Sequence, residues 1–131
     1  MNKGDVIRII DTARGALWKV TLGADGRGGP PVLLARDPLL EGADGITVDR
    51  RGDIWVAVNE LNAIVKVTPA GQVQQMARNG VAGPLEFPSG LVFIGNAAYI
   101  SNFDVPRRDN VDAGSNTSRG GIGASVARMG Y

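Results

Sequence analysis

The sequence predicts an all-β fold in which repeated sheets of up to four antiparallel strands pack as the blades of a partial propeller. Two near-identical hexapeptides, ALWKVT at residues 16–21 and AIVKVT at residues 63–68, lie 47 positions apart. That interval is the length of one blade or one solenoid unit. A weaker third copy follows, and no window of the chain carries a helical stripe. Sheets that recur in this way have two apolar faces and need a neighbour on each, which favours a propeller; a solenoid or a plain β-sandwich remains the alternative.

The elements follow in order. At the offset of 47, Ile7 to Asp11 lies over Ile54 to Val58, and Leu17 to Val20 lies over Ile64 to Val67. In the later copy Ile54, Val56 and Val58 share one face while Trp55 and Ala57 share the other, the pattern of a strand buried on both sides. The turn signals GADG at 23–26 and TPAG at 68–71 precede extended runs at Pro31 to Ala35 and Gln72 to Ala77. Upstream of the better copy, DGITVDRRGD reads as a strand and a tight turn. The third copy sets Gly90 to Phe93 over Gly45 to Val48 at an offset of 45, and Ala98 to Ser101 over Ile54 to Ala57 at 44. ASVARM at 124–129 then matches NAIVKV at 62–67 at an offset of 62, so 18 extra residues have entered this unit as a polar loop at about 104–121. The expected organisation is a single partial propeller domain over 1–131. Residues 1–36 form a blade lacking its inner strand, 43–79 a complete blade, and 85–131 a blade with the inserted loop.

Composition narrows the chemistry. With 14 basic and 13 acidic residues among 131, the chain lacks the basic surface that nucleic acid requires, and Arg50-Arg51 and Arg107-Arg108 read as solvated turns. There is no apolar run long enough to cross a membrane and no apolar leader in the first ten residues, so a soluble chain is expected, cytoplasmic by default with the compartment open. Cys and His are both absent. That removes thiol nucleophiles, disulfides, thiolate or imidazole zinc ligands and histidine-based triads. Oxygen donors remain, and these suit hard divalent cations such as calcium.

The run GADGITVDRRGDIWVAVNELNAIVKVTPAGQV resembles a blade of the SMP-30/gluconolactonase/LRE-like family, as do DTARGALWKV, FPSGLVFIGNAAYISN and GIGASVARM. The resemblance implies that the chain is about three blades, half of a six-bladed ring. It implies a divalent cation, calcium-like, at the mouth of a central channel, held by a Glu, an Asn and an Asp of a (P/A)-D-G turn. Such a cation polarises a lactone or ester carbonyl so that water attacks. Asp44 of GADGI matches the Asp and is the one metal ligand carried over; its counterpart in the third copy is Ser89. The plainer reading of Asp44 is a turn cap. The Asn and Glu of the family fall in segments ahead of Met1, since the offset of 47 carries Asp44 to before the first residue.

Half a ring leaves an apolar blade face uncovered at each end. The expected partner is therefore a second copy closing head to tail, or another chain completing the ring, with a poorly folding fragment as the third outcome. The functional alternative is a non-catalytic propeller half that serves as a binding or scaffold module, or a gene remnant. Among secondary candidates, Asn59, Asn102 and Asp104 lie near strand ends as pocket-edge or turn residues. Trp18 and Trp55 occupy strand-interior positions as blade packing. Asn116-Thr117-Ser118 is a glycosylation triplet relevant only after secretion, and GGIGAS is a weak phosphate-loop candidate because no helix follows it.

Overall fold

The structure is a computed structural model that describes residues 4–79, 83–103, 105, 110, 111, 114 and 123–131. Its ten strands fall into three antiparallel sheets, each assembled from consecutive strands. The first holds β1 (Val6–Asp11), β2 (Ala16–Thr21) and β3 (Val32–Arg36). The second holds β4 (Ala43–Val48), β5 (Ile54–Val58), β6 (Ala63–Val67) and β7 (Val73–Arg78). The third holds β8 (Pro88–Ile94), β9 (Ala97–Asn102) and β10 (Ser125–Gly130). Two short 3-10 turns, Pro38–Leu40 and Asn59–Leu61, lie between strands. The matching hexapeptides thus sit in different sheets, as β2 and β6.

The repeat extends to strand register. Ile7 faces Val20 and Ile9 faces Trp18 in the first sheet; the residues 47 further on, Ile54 with Val67 and Val56 with Val65, pair in the same way. Even the bulges recur, between Leu17 and Trp18 and again between Ile64 and Val65. In the third sheet Tyr99 faces Arg128 as Trp55 faces Lys66, so the inserted residues leave the pairing on either side intact. Outer strands β3 and β7 begin one residue later than the turn signals predicted. Pro31 has no N–H for a ladder, and the Thr68 amide donates to the Gln72 carbonyl at 2.9 Å, which keeps Gln72 in the turn.

Packing shows why the sheets stand side by side. Leu17 and Ala35 of the first sheet meet Ile54, Val56, Val58, Val65 and Val67 of the second in one cluster. From the opposite side of the same sheet, Trp55, Ala57 and Ile64 meet Ala98, Ile100 and Ala127 of the third. All five residues of β5 are buried, as the period-two reading requires. Each such aliphatic side chain contributes roughly 1.5–3 kcal/mol of burial. Trp55 lies edge-on to Phe93 and Tyr131, with ring centroids 5.3 and 5.5 Å away. The three sheets are therefore consecutive blades, each complete only against its neighbours.

Inner strands β4 and β8 touch along the row nearest the axis. A Cβ added to Gly45 would stand 2.4 Å from the Ser89 carbonyl oxygen and 2.7 Å from Cα of Gly90. Backbone on both sides leaves nothing to yield. Gly71, at φ 86, is similarly confined, since a Cβ there would meet the Leu34 carbonyl and the left-handed backbone would disfavour it.

The uncovered faces lie where predicted. Ile7, Ile9 and Leu33 are exposed on the far side of the first sheet, and Val92, Ile94 and Val126 on the far side of the third. Trp18 shares the first of these faces and stays half-buried, so it does not pack between two blades of this chain, unlike Trp55. Gly45→Ala should lower unfolding free energy by about 1–3 kcal/mol through overpacking, read from urea denaturation; an unchanged midpoint would show that β4 and β8 separate freely.

Candidate functional site

Antiparallel pairing brings the start of β4 beside the end of β5, where Ala43 faces Val58. Asp44 follows immediately and is exposed. The chain turns back after β5 through the 3-10 turn, which places the Asn59 Nδ2 at 3.5 Å from the Asp44 carboxylate. The same end of the blades collects Thr12, whose hydroxyl donates to the Ala43 carbonyl at 2.7 Å and ties the first blade to β4. Ser89, the counterpart of Asp44, lies 3.0 Å from the Ser101 hydroxyl. Two residues singled out in the sequence, Asp44 and Asn59, are thus brought together; Asn102 is not part of that pair.

Asn102 instead anchors a buried polar joint. Its side-chain oxygen accepts from the Glu86 amide at 3.1 Å, and its nitrogen donates to the Pro84 carbonyl and the Ser125 hydroxyl. Nearby Asn62, in the left-handed region at φ 47, accepts from the Phe87 amide at 2.7 Å and donates to Asn110 at 2.9 Å. Glu86 accepts from the Gly123 amide at 3.2 Å. Asn62 and Glu86 carry no motif in the sequence, because their partners lie 25 and 37 positions away. Asp104, the glycosylation triplet and the first half of GGIGAS lie outside the described residues.

At the opposite end, between the second and third blades, a cavity of about 520 Å³ is lined by Asp49, Asp53, Trp55, Lys66, Met129 and Tyr131, among others. Its polar groups are spent on one another. Asp49 accepts from the Trp55 indole at 2.9 Å and from the amides of Arg51 and Asp53 at 2.8 and 3.0 Å, while Lys66 pairs with Asp53 at 3.4 Å. Desolvation pushes the Asp49 carboxyl up, but the hydrogen bonds from Trp55, the two amides and the Tyr131 hydroxyl together outweigh it and hold it below the usual carboxylate value. For Tyr131 burial and the Asp49 carboxylate both raise the phenol. This end is a structural joint, and Trp55 is its donor rather than a sugar platform.

The donors around Asp44 are of the oxygen type that hard cations take, but calcium needs about six to eight of them. Among the described residues no three acidic side chains gather into a potential metal site, and Asn59 turns its nitrogen toward Asp44. One carboxylate and one amide do not make the centre by themselves, so these residues alone define no hydrolytic step.

Three consecutive antiparallel blades with interlocked faces and one carboxylate at the inner-strand end define a segment of a β-propeller. The chain belongs to the SMP-30/gluconolactonase/LRE-like family, whose region matches residues 2–101. Its fold is similar to a calcium-binding protein, regucalcin, from Agrobacterium tumefaciens, with a TM-score of 0.66 at 22% identity, covering 98% of this chain and 42% of that one. A luciferin-regenerating enzyme is similar at a TM-score of 0.64 and 15% identity, covering 94% and 40%. A Bacteroides caccae protein of unknown function follows at 0.51 and 13%, covering 88% and 39%. The chain therefore spans about two fifths of the solved structures it matches. No curated protein matches it in sequence. Among the described residues no helix is long and apolar enough to cross a membrane.

The Asp49 joint makes a pH prediction. A carboxyl whose folded value is depressed contributes stability above its unfolded value, about 3.9, and loses it as pH falls through the folded value. Stability of the native chain should therefore fall in acid below about pH 4, and Asp49→Asn should flatten that dependence while lowering stability at neutral pH. Thermal melts across the acid range check this; parallel curves for both proteins would contradict it.

Proposed function

We propose that the chain is three blades of a divalent-cation-dependent hydrolase acting on a lactone or ester, to which Asp44 contributes one carboxylate ligand and blades outside residues 1–131 contribute the rest. The observation that carries this reading is the placement of Asp44. It is exposed at the inner-strand end, beside an amide, in a unit whose sister blade has Ser89 at that position. With a cation present, Asn59 would rotate its amide oxygen inward and could serve as a neutral second donor. The family match and the calcium-binding relative support the choice of cation.

The two uncovered faces support completion of the ring by further blades, either a second copy joined head to tail or a separate chain. Interior junctions set the residues equivalent to Ile7 and Ile9 against the preceding blade, and those equivalent to Tyr99 and Val126 against the following one. One face of each kind is left open, so the two are complementary. Light scattering should give the mass of two chains, and a folded monomer would sink the two-copy form. A second reading, a non-catalytic scaffold half, rests on the same open faces and needs no ion.

Calorimetric titration with calcium chloride separates the readings. Heat of binding that falls roughly tenfold in affinity, about 1.4 kcal/mol, on Asp44→Ala supports the metal ligand. Absence of calcium binding in the assembled protein, or identical binding by the variant, supports the scaffold.

A further inference from the structure

We infer that Asn62 is a positioning residue for the Asp44–Asn59 pair, held in that role by Asn110 from the connection between β9 and β10; the inference rests on the reading of that pair as part of a cation site. Among the described residues Asn62 and Phe87 are the two non-glycine positions with a left-handed backbone, at φ 47 and 51. They are bonded to one another, since the Phe87 amide donates to the Asn62 side-chain oxygen at 2.7 Å. A bulky residue in that conformation is strained, and it persists only where its surroundings fix it.

The repeat separates what the backbone needs from what the side chain adds. Subtracting the offset of 47 carries Asn62 to Gly15, whose φ is 54. Glycine meets that backbone requirement with no side chain. Asparagine tolerates the same conformation and brings an amide, both of whose polar atoms are engaged. The oxygen takes the Phe87 amide, and the nitrogen donates to the Asn110 side-chain oxygen at 2.9 Å. Both asparagines are buried. The order of bonds fixes each amide: Phe87 offers an N–H, so Asn62 presents oxygen to it and nitrogen to Asn110, and Asn110 presents oxygen in return. The side-chain nitrogen of Asn110 is left without a partner among the described residues.

Backbone contacts carry this clamp to the pair. The Asn62 amide donates to the Asn59 carbonyl at 3.3 Å, closing the 3-10 turn, and the Asn79 amide donates to the Asn62 carbonyl at 3.1 Å. On its other side the turn lies against the residues just ahead of Asp44. The Asn59 amide donates to the Gly42 carbonyl at 3.0 Å, and a Cβ added to Gly42 would stand 2.8 Å from that of Glu60. The turn is thus held between Gly42 and Asn62, and the place of Asn59 relative to Asp44 follows from where Asn62 is fixed.

The test follows amide hydrogen exchange by NMR in the full 131-residue chain, with calcium chloride as the probe ligand. Asn62→Gly keeps the left-handed backbone and removes both side-chain bonds. It should speed exchange of the Asn59 amide roughly tenfold relative to β2 amides and weaken calcium binding about tenfold. Asn62→Asp should stay near the native values, because its carboxylate accepts from Phe87 and, once the Asn110 amide turns over, from the nitrogen that is otherwise unpaired. Combining Asn62→Asp with Asn110→Leu should abolish that rescue. Asn102→Ala loosens the same joint through Pro84, Glu86 and Ser125, and should leave the Asn59 amide and the calcium affinity unchanged. An unaltered Asn59 amide in Asn62→Gly overturns the inference, as does equal acceleration by Asn102→Ala, failure of Asn62→Asp to restore the native exchange, or equal calcium affinity in the native chain and Asn62→Gly. If the native chain takes up no calcium, the cation reading falls and exchange at Asn59 alone decides the role of Asn62.

Discussion

A twisted sheet that is apolar on both faces must be covered on both faces, and the second blade meets that demand from within the chain. β5 supplies the whole argument in five residues. Ile54, Val56 and Val58 turn toward the first blade, and Trp55 and Ala57 turn toward the third. Removing either neighbour would expose half of the most buried strand in the molecule. The constraint therefore fixes the order of the blades before any loop is considered. It also explains the asymmetry of the ends, where the same positions in the repeat, Ile7 and Ile9 on one side and Val126 on the other, remain 45–69% exposed. Interior and terminal blades differ in what covers them, since their strand pairing is shared.

Shared register then decides what each end of the blades can present. With the strands of each blade in equivalent register, starts of inner strands and ends of second strands fall at one level, and this is where Asp44, Asn59, Ser89 and Ser101 lie. The reverse turns fall at the other level, where Asp49 closes the β4–β5 turn, accepts the Trp55 indole and receives the Tyr131 hydroxyl. One end thus carries exposed oxygen donors with capacity to spare. The other is saturated. A carboxylate holding three or four donors has little left for a ligand, whereas the contact between Asp44 and Asn59, at 3.5 Å, is long and weak.

The repeat was legible because blade packing writes itself into local alternation: Ile54 to Val58, Leu17 to Val20 and Ala98 to Ser101 each announce a strand without reference to anything distant. Asp44 and Asn59 were both visible as single residues, but their meeting depends on β5 ending at Val58 and the chain folding back through a 3-10 turn, which no composition signal marks. Asn62, Glu86 and Asn110 were illegible for a related reason. A buried amide is useful only where its partners arrive from other parts of the chain, here the Phe87 amide and the Asn110 carbonyl oxygen of the side chain. Trp18 is equivalent in register to Val65, a packed residue, yet it stays half-buried because its blade has no preceding neighbour among the described residues. Periodicity reports which face a side chain occupies and is silent on whether anything covers that face.

Repetition also explains why a single acidic side chain carries so much of the functional reading. The scaffold is nearly periodic, so whatever the fold needs should recur: the glycines at 45 and 90 recur, as do the bulges and the apolar positions. Asp44 does not. Its sister position holds Ser89, which satisfies the local backbone by bonding to Ser101 without any charge. The blade itself therefore does not require a charge at this position. A residue present in one blade only is not required by the repeat, and its exposed place at the inner-strand end is the observation on which the proposed cation ligand rests.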